Sequence, residues 1–319
     1  MSSTSSHKTP SAAASETIKL PLWKTWLAPY EAAEKQESVF DYVTFRANSA
    51  ALCNIAPNDK QFRDGLLALC KQAHSKGKAQ LSNLLTKNHD GAEYVGKHAV
   101  MMDLLIAGIA NVARRHLFAD CPPVSIMATG GYGRGELSPS SDIDLLFILS
   151  RKETAKQTKF IEFILYILWD MSLAVGHATR TIDENLKAAT EDMTIRTSLL
   201  EIRYIAGDKA LASKMKSSWS KWLSQQSVST FIEAKLDERE RRIKRTGGTR
   251  YAVEPNVKDG KGGLRDLHTL FWVAKHAYRF TNVLDVMDTG ILRVSEARSF
   301  ASAQRFLWTV RCFLHLYHD

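Results

Sequence analysis

The sequence predicts an α+β fold: a mixed sheet flanked by helices, with further helical segments before and after it in the chain. Three observations lead there. A short β-capable run, Val124–Ala128, stops at Gly130-Gly131, and residues 145–149 then form a second run that is apolar on both faces, the pattern of a strand inside a sheet. A third β-capable run, Val175–Thr181, follows a strongly apolar helical stretch at 160–173; strand, helix and strand in succession describe a mixed sheet. Elsewhere apolar residues recur at spacings of three and four with lysine and glutamate between them, the mark of amphipathic helices.

Residues 1–17 are mostly Ser, Thr, Ala and Lys and are expected to form a disordered tail. Residues 18–95 are expected to be an N-terminal helical segment, on the spacing of Phe62, Leu66, Leu67 and Leu69 and of Leu81, Leu84 and Leu85. Residues 96–208 are taken as the sheet-bearing domain. It opens with a long apolar helix at 98–117 whose Arg114, Arg115 and His116 complement the helix dipole. After the glycine pair, residues 132–137 suit about two helical turns, closed by Pro139. Residues 183–206 read as helix, and Gly207-Asp208 as a stop. Residues 209–319 are expected to be a helical domain. It contains a charged run at 238–245, read as a solvated face, and helices over 264–277 and 296–317.

Chemistry is concentrated between Gly130 and Asp144. Asp142 and Asp144 stand two residues apart where the second strand begins, so their side chains project from one face. Paired carboxylates suit a hard divalent cation, above all Mg²⁺, which usually also takes substrate phosphates. Gly130-Gly131 can offer backbone N–H groups to a phosphate. Together these are the ingredients of phosphoryl or nucleotidyl transfer. A dinucleotide fingerprint is excluded because its third glycine position is Glu136, and no Gly-Lys-Ser/Thr exists for a P-loop. A second glycine-rich stretch, Lys258-Asp-Gly-Lys-Gly-Gly-Leu-Arg265-Asp266, is by itself either an anion site or a plain helix entry. His177 beside Gly176 reads as structural, whereas Arg180 on the same strand is suited to a triphosphate.

Gly130-Gly131-Tyr132-Gly133-Arg134-Gly135-Glu136-Leu137, Pro139 and Ser141-Asp142-Ile143-Asp144 resemble the polymerase-β-type nucleotidyltransferases. More narrowly they resemble the bacterial PII-protein uridylyltransferase/uridylyl-removing enzymes. Glu254-Pro-Asn-Val-Lys258 through Asp266 and Val175-Gly-His-Ala-Thr-Arg-Thr181 are similar to further stretches of that family. The resemblance implies a polymerase-β-like sheet and Mg²⁺-dependent transfer of UMP from UTP to a tyrosine of PII. It implies Asp142 and Asp144 as catalytic metal ligands, with Gly130, Gly131, Arg134, Ser141, Arg180, Lys258 and Arg265 around the nucleotide. Arg134 could instead pair with a carboxylate such as Glu136, and Arg265 with Asp266. No third carboxylate lies on the Val175–Thr181 strand, so only the pair is assigned. Full-length relatives continue into a hydrolase domain and glutamine-sensing domains, so the resemblance implies that this chain is a portion of such an enzyme. An adenylyltransferase, an RNA nucleotidyltransferase or a non-catalytic nucleotide-binding module are the alternatives.

The net charge of +9 over 319 residues favours anionic partners but does not choose among nucleotide, nucleic acid and acidic protein; nucleic acid is not expected here. Cys53, Cys70, Cys121 and Cys312 lack metal or disulfide spacing. No run of about 20 apolar residues is expected to span a membrane, and a cytoplasmic location is expected.

Overall fold

A computed structural model describes residues 24–25, 28–55, 58–245, 256–280, 285–286 and 290–318. The tail expected over 1–17, Glu254-Pro255 of the second motif and Asp319 lie outside them.

The fold is α+β, as expected. A four-stranded sheet, ordered β3-β2-β1-β4, is built from β1 (Val124–Ala128), β2 (Ile143–Leu149), β3 (Val175–Thr181) and β4 (Arg203–Gly207). β1 runs antiparallel to both β2 and β4, whereas β2 and β3 are parallel, with Asp144 opposite Gly176 and Ile148 opposite Arg180. The parallel pair needs a crossover, supplied by helix α6 (Ala155–Asp170). Thr154 caps α6 in a reciprocal box with Gln157, satisfying donors that a helix start otherwise leaves open.

β4 corrects the helical reading of 183–206. Two short helices, α7 (Ile182–Glu191) and α8 (Met193–Leu199), end before it, and β4 then pairs with β1 through Arg203, Tyr204, Ala206 and Gly207, across a register shift at Ile126/Met127. The glycine-turn helix α5 (Gly130–Gly133) is also shorter than expected, a single turn. Gly135 takes φ +75°, which leaves helical geometry.

Before the sheet come α1 (Pro29–Glu34), α2 (Tyr42–Ile55), α3 (Asp59–Asn88) and α4 (Gly91–His116); after it come α9 (Lys209–Leu223), α10 (Val228–Arg245), α11 (Leu264–Tyr278) and α12 (Val294–His318). By length and composition α4 could cross a bilayer, contrary to the expectation that no run reaches that length. In the fold it packs against α1, α2, α3, α6, α12 and β4. It is a core helix whose apolar surface is consumed by protein neighbours.

The strand alternation divides the interior. Ile143, Leu145, Phe147 and Leu149 face the cluster built on α4 and α6, while Leu146 and Ile148 face a second cluster with Met215 and Trp219 of α9. Asp144 falls in the second set, at the end of the strand where that apolar packing stops and the glycine turn begins.

Candidate active site

A cavity of about 850 Å³ opens where β2 and β3 begin, and Gly130, Gly131, Ser141, Asp142 and Asp144 all line it. Thr129 N donates to the Asp144 carbonyl at 3.0 Å, tying the glycine turn to the start of β2. Gly130 sits at φ +58°, and a Cβ there would lie 2.8 Å from Asp144 Oδ2; a Cβ at Gly176, across the register, would lie 2.9 Å from Asp144 Oδ1. Two glycines from different elements thus clear the space on both sides of one carboxylate. Burial, and next the charge of Asp142, raise the Asp144 pKa above its ordinary value, with Lys258 and Arg134 pulling the other way. Ser141 Oγ lies 2.6 Å from Ser138 Oγ.

The turn is held from beneath by a buried polar cluster. Tyr132 and Tyr30 each donate a 2.7 Å hydrogen bond to Asp103 on α4. Arg203 of β4 pairs with the same carboxylate and donates to the carbonyls of Tyr132 (2.9 Å) and Gly133 (3.2 Å). The unanticipated fourth strand therefore carries the side chain that fixes the glycine turn from below.

Arg134 reaches the cavity wall but is held by carboxylates, Nε to Glu136 at 2.7 Å and Nη1 to Glu201 at 2.5 Å. Burial works against its charge, and the two acids outweigh burial. Of the two kinds of partner expected for Arg134, phosphate or carboxylate, the structure supplies carboxylates. His268 bridges the same group: Nε2 lies 3.1 Å from Glu136 and Nδ1 3.4 Å from Arg134 Nη2. Burial, then Arg134, push its pKa down to about 4. Burial opposes the charge of Glu136, yet Arg134 and His268 hold its carboxyl down at about 2.

Arg180 lines the cavity from β3, on the face shared with Gly176 and Asp144. His177 also lines the cavity, at the alternate position of β3, with its ring 5.8 Å from that of Trp169. Lys258 and Arg265 enter from the loop before α11 and from its first turn. Arg265 Nε lies 3.4 Å from Asp259, and its guanidinium 5.4 Å from the Trp272 ring centre. Burial, then Arg311 and Arg265, lower the Lys258 pKa.

The possible Arg265–Asp266 pair does not form. Asp266 instead accepts from Arg239 at 3.0 Å, Arg242 at 2.5 Å and Gly262 N at 2.9 Å. This also corrects the reading of 238–245 as a solvated face: Arg239 and Arg242 clamp α10 to α11, and Arg242 and Arg245 line the cavity. Glu201, His268, Trp308 and Arg311 are cavity residues that no sequence motif singled out.

Two family models match the chain: a nucleotidyltransferase domain over residues 112–205 and GlnD PII-uridylyltransferase over residues 230–319. The chain is 44% identical over 263 residues to the bifunctional uridylyltransferase/uridylyl-removing enzyme of Rhodopseudomonas palustris, covering 81% of this chain and 28% of that protein. Those of Azospirillum brasilense (42% over 260 residues, 80% and 28% covered) and Rhodospirillum rubrum (41% over 268, 82% and 29%) are similar. Over this span the chain is similar to the bifunctional uridylyltransferase/uridylyl-removing enzymes. It spans about 28% of the length of those relatives. The nucleotidyltransferase match takes in β1 to β3, most of β4 and the carboxylate pair. The uridylyltransferase match takes in α11 and α12, which close the cavity with Arg265, His268, Trp308 and Arg311.

Proposed function

We propose that the chain transfers UMP from UTP to a tyrosine hydroxyl of the PII signalling protein, releasing pyrophosphate, in a Mg²⁺-dependent reaction in the cytoplasm. The observation that carries this reading is the pairing of Asp142 and Asp144 beside the glycine turn in one large, cation-rimmed cavity. The match to the uridylyltransferase family supports the choice of nucleotide and acceptor.

The residues suit the metal. Asp142 and Asp144 are hard oxygen donors, burial and then the charge of Asp142 raise the Asp144 pKa, and Gly130 and Gly176 leave room around Asp144 that a Cβ would fill. Among the described residues no group of three or more His, Cys, Asp or Glu is arranged for a metal, so the remaining donors fall to substrate phosphate and water. When bound, Mg²⁺ neutralises triphosphate charge and lowers the pKa of the attacking phenol.

The backbone at Gly130-Gly131 and the Ser141 hydroxyl orient the phosphates. Arg180, Lys258 and Arg265 supply positive charge where the pyrophosphate leaves. Arg134 lies in the cavity wall and neutralises Glu136 and Glu201, which also line the cavity. One of the two carboxylates Asp142 and Asp144 also takes the phenolic proton. The uridylyl-removing activity named for the relatives, and control by glutamine, we assign to regions beyond these residues.

Incubation with labelled UTP, PII and Mg²⁺ is expected to label PII, and Asp142→Asn combined with Asp144→Asn to abolish labelling while the fold is kept. Labelling by ATP alone, or of glutamine synthetase or RNA in place of PII, would replace the proposed reaction with another of the same fold. Undiminished labelling by the double variant would reject the mechanism.

A further inference from the structure

We propose that Arg311, on the last helix, is a polyphosphate-binding residue of this cavity, although it lies in neither glycine motif. The proposal rests on a nucleoside triphosphate occupying the cavity, and is indifferent to which base that nucleotide carries.

Arg311 is delivered by a firmly seated helix. Gly91 N at the start of α4 donates to Thr309 Oγ1 at 2.9 Å, and Arg305 pairs with Asp90 at 2.9 Å. A Cβ at Gly91 would lie 2.2 Å from Thr309 N, so the two helices touch backbone to backbone. One turn earlier, Gln304 Nε2 donates to Glu136 Oε1 at 2.9 Å, joining α12 to the residue that holds Arg134. These anchors lie within two turns of Arg311, so its side chain emerges from a fixed point. It lines the cavity half-buried, its guanidinium 5.3 Å from the Trp308 ring centre.

The charges around it are unbalanced. Arg134 has two carboxylates, Arg265 has Asp259 and Lys235 has Glu238. Among the described residues no carboxylate lies within ion-pair distance of Arg311; Asp259 and Glu136 act on it only from further away, and it in turn lowers the pKa of another cation, Lys258. Lys258 in turn feels Asp142. A wall of positive charge therefore starts beside the carboxylate pair and runs to α12. Half-buried like charges are unfavourable until an anion lies among them, and a guanidinium fork matches phosphate oxygens. A triphosphate begun at the carboxylate pair would meet Lys258 and then Arg311.

The test is isothermal titration of the whole chain with Mg²⁺–UTP, Mg²⁺–ATP, inorganic tripolyphosphate and uridine, for wild type, Arg311→Ala and Arg311→Lys. Loss of one charge-assisted contact is expected to weaken every polyphosphate by about tenfold or more. Arg311→Lys should recover part of that loss, uridine binding should not change, and the melting temperature should hold. Should Arg311→Ala fail to fold, Arg311→Gln, which keeps most of the packing over Trp308, takes its place. Undiminished tripolyphosphate and UTP affinity in a folded variant overturns the role of Arg311 and leaves the transferase reading standing. Arg311-dependent ATP binding without UTP binding supports Arg311 and rejects uridylyl transfer. A wild-type chain that binds no polyphosphate overturns both.

Discussion

Gly176→Ala separates the chemistry of the cavity from the stability of the fold. Gly176 is exposed on the edge strand β3 and its φ is not in the left-handed region, so alanine is compatible with the backbone. On backbone entropy alone the change should be neutral or stabilising by roughly 0.4–1 kcal/mol. Yet the new methyl would lie 2.9 Å from Asp144 Oδ1, its one close neighbour. Ordinary carbon–oxygen contact begins about half an ångström further out, so the carboxylate has to swing away, and Gly130 on its other side limits where it can go. Misplacing a reacting group by about 1 Å can cost on the order of a hundredfold; a shift of half that should lower kcat/KM for UMP transfer roughly tenfold. The assay is labelled-UTP transfer to PII, run beside a thermal melt. An unchanged melting temperature with a tenfold loss of transfer fits; full activity would refute the placement of Asp144 as a metal-holding group, and loss of the fold would refute the reading of Gly176 as a purely local clearance.

Asp266→Ala removes the carboxylate that accepts from Arg242 at 2.5 Å and from Arg239 at 3.0 Å and should destabilise the α10–α11 contact by about 1.5–3 kcal/mol, the lower end fitting the partial exposure of Asp266; an unchanged urea midpoint would contradict the clamp. Tyr132→Phe removes one of the two tyrosine donors to the buried Asp103 and should cost about 1–2 kcal/mol, read as a lowered melting temperature; no change would show that the donor is dispensable. Burial pushes His98 to about 4, and burial then Arg134 push His268 to about 4. The unfolded chain, with ordinary histidine values near 6.5, binds more protons over that interval. Stability is thus full above pH 6.5 and falls as the pH drops toward 4, by roughly 2 kcal/mol per histidine at pH 5. Urea denaturation at pH 7 and pH 5 measures it, and equal stability at the two would contradict neutral burial of both rings.

Three of the four strands were legible from their surroundings: Val124–Ala128 ends at a glycine pair, 145–149 follows the aspartates, and Val175–Thr181 follows a strongly apolar helix and has Gly176 as its second residue. β4 was not, because its five residues follow two short helices and are half-buried at a sheet edge, with too little alternation to break a helical pattern. The carboxylate pair and the glycine turn were readable from local spacing, since i and i+2 on a strand fix a common face. What surrounds them was not. Glu201, His268 and Arg311 come from three distant elements, and only tertiary packing brings them to one cavity. The run 238–245 shows the same limit: periodicity finds which residues share a helix face, and says nothing of an aspartate on a neighbouring helix waiting for two of its arginines.

The cavity joins two parts of the chain that the sequence separates by more than a hundred residues. The sheet gives the carboxylates and the glycine turn, while α11 and α12 give the cations and the aromatic wall. Glu136 is where they meet, receiving Arg134 from its own turn, His268 from α11 and Gln304 from α12. Movement of either helix would therefore be felt at the turn that orients phosphate.

The most direct measurement is a crystal structure of the chain with Mn²⁺ and a non-hydrolysable UTP analogue, with the metal located by its anomalous signal. A metal ligated by both Asp142 and Asp144, with the triphosphate over Gly130-Gly131, is the predicted result. A metal bound elsewhere, or an analogue whose phosphates lie away from that turn, would contradict the account.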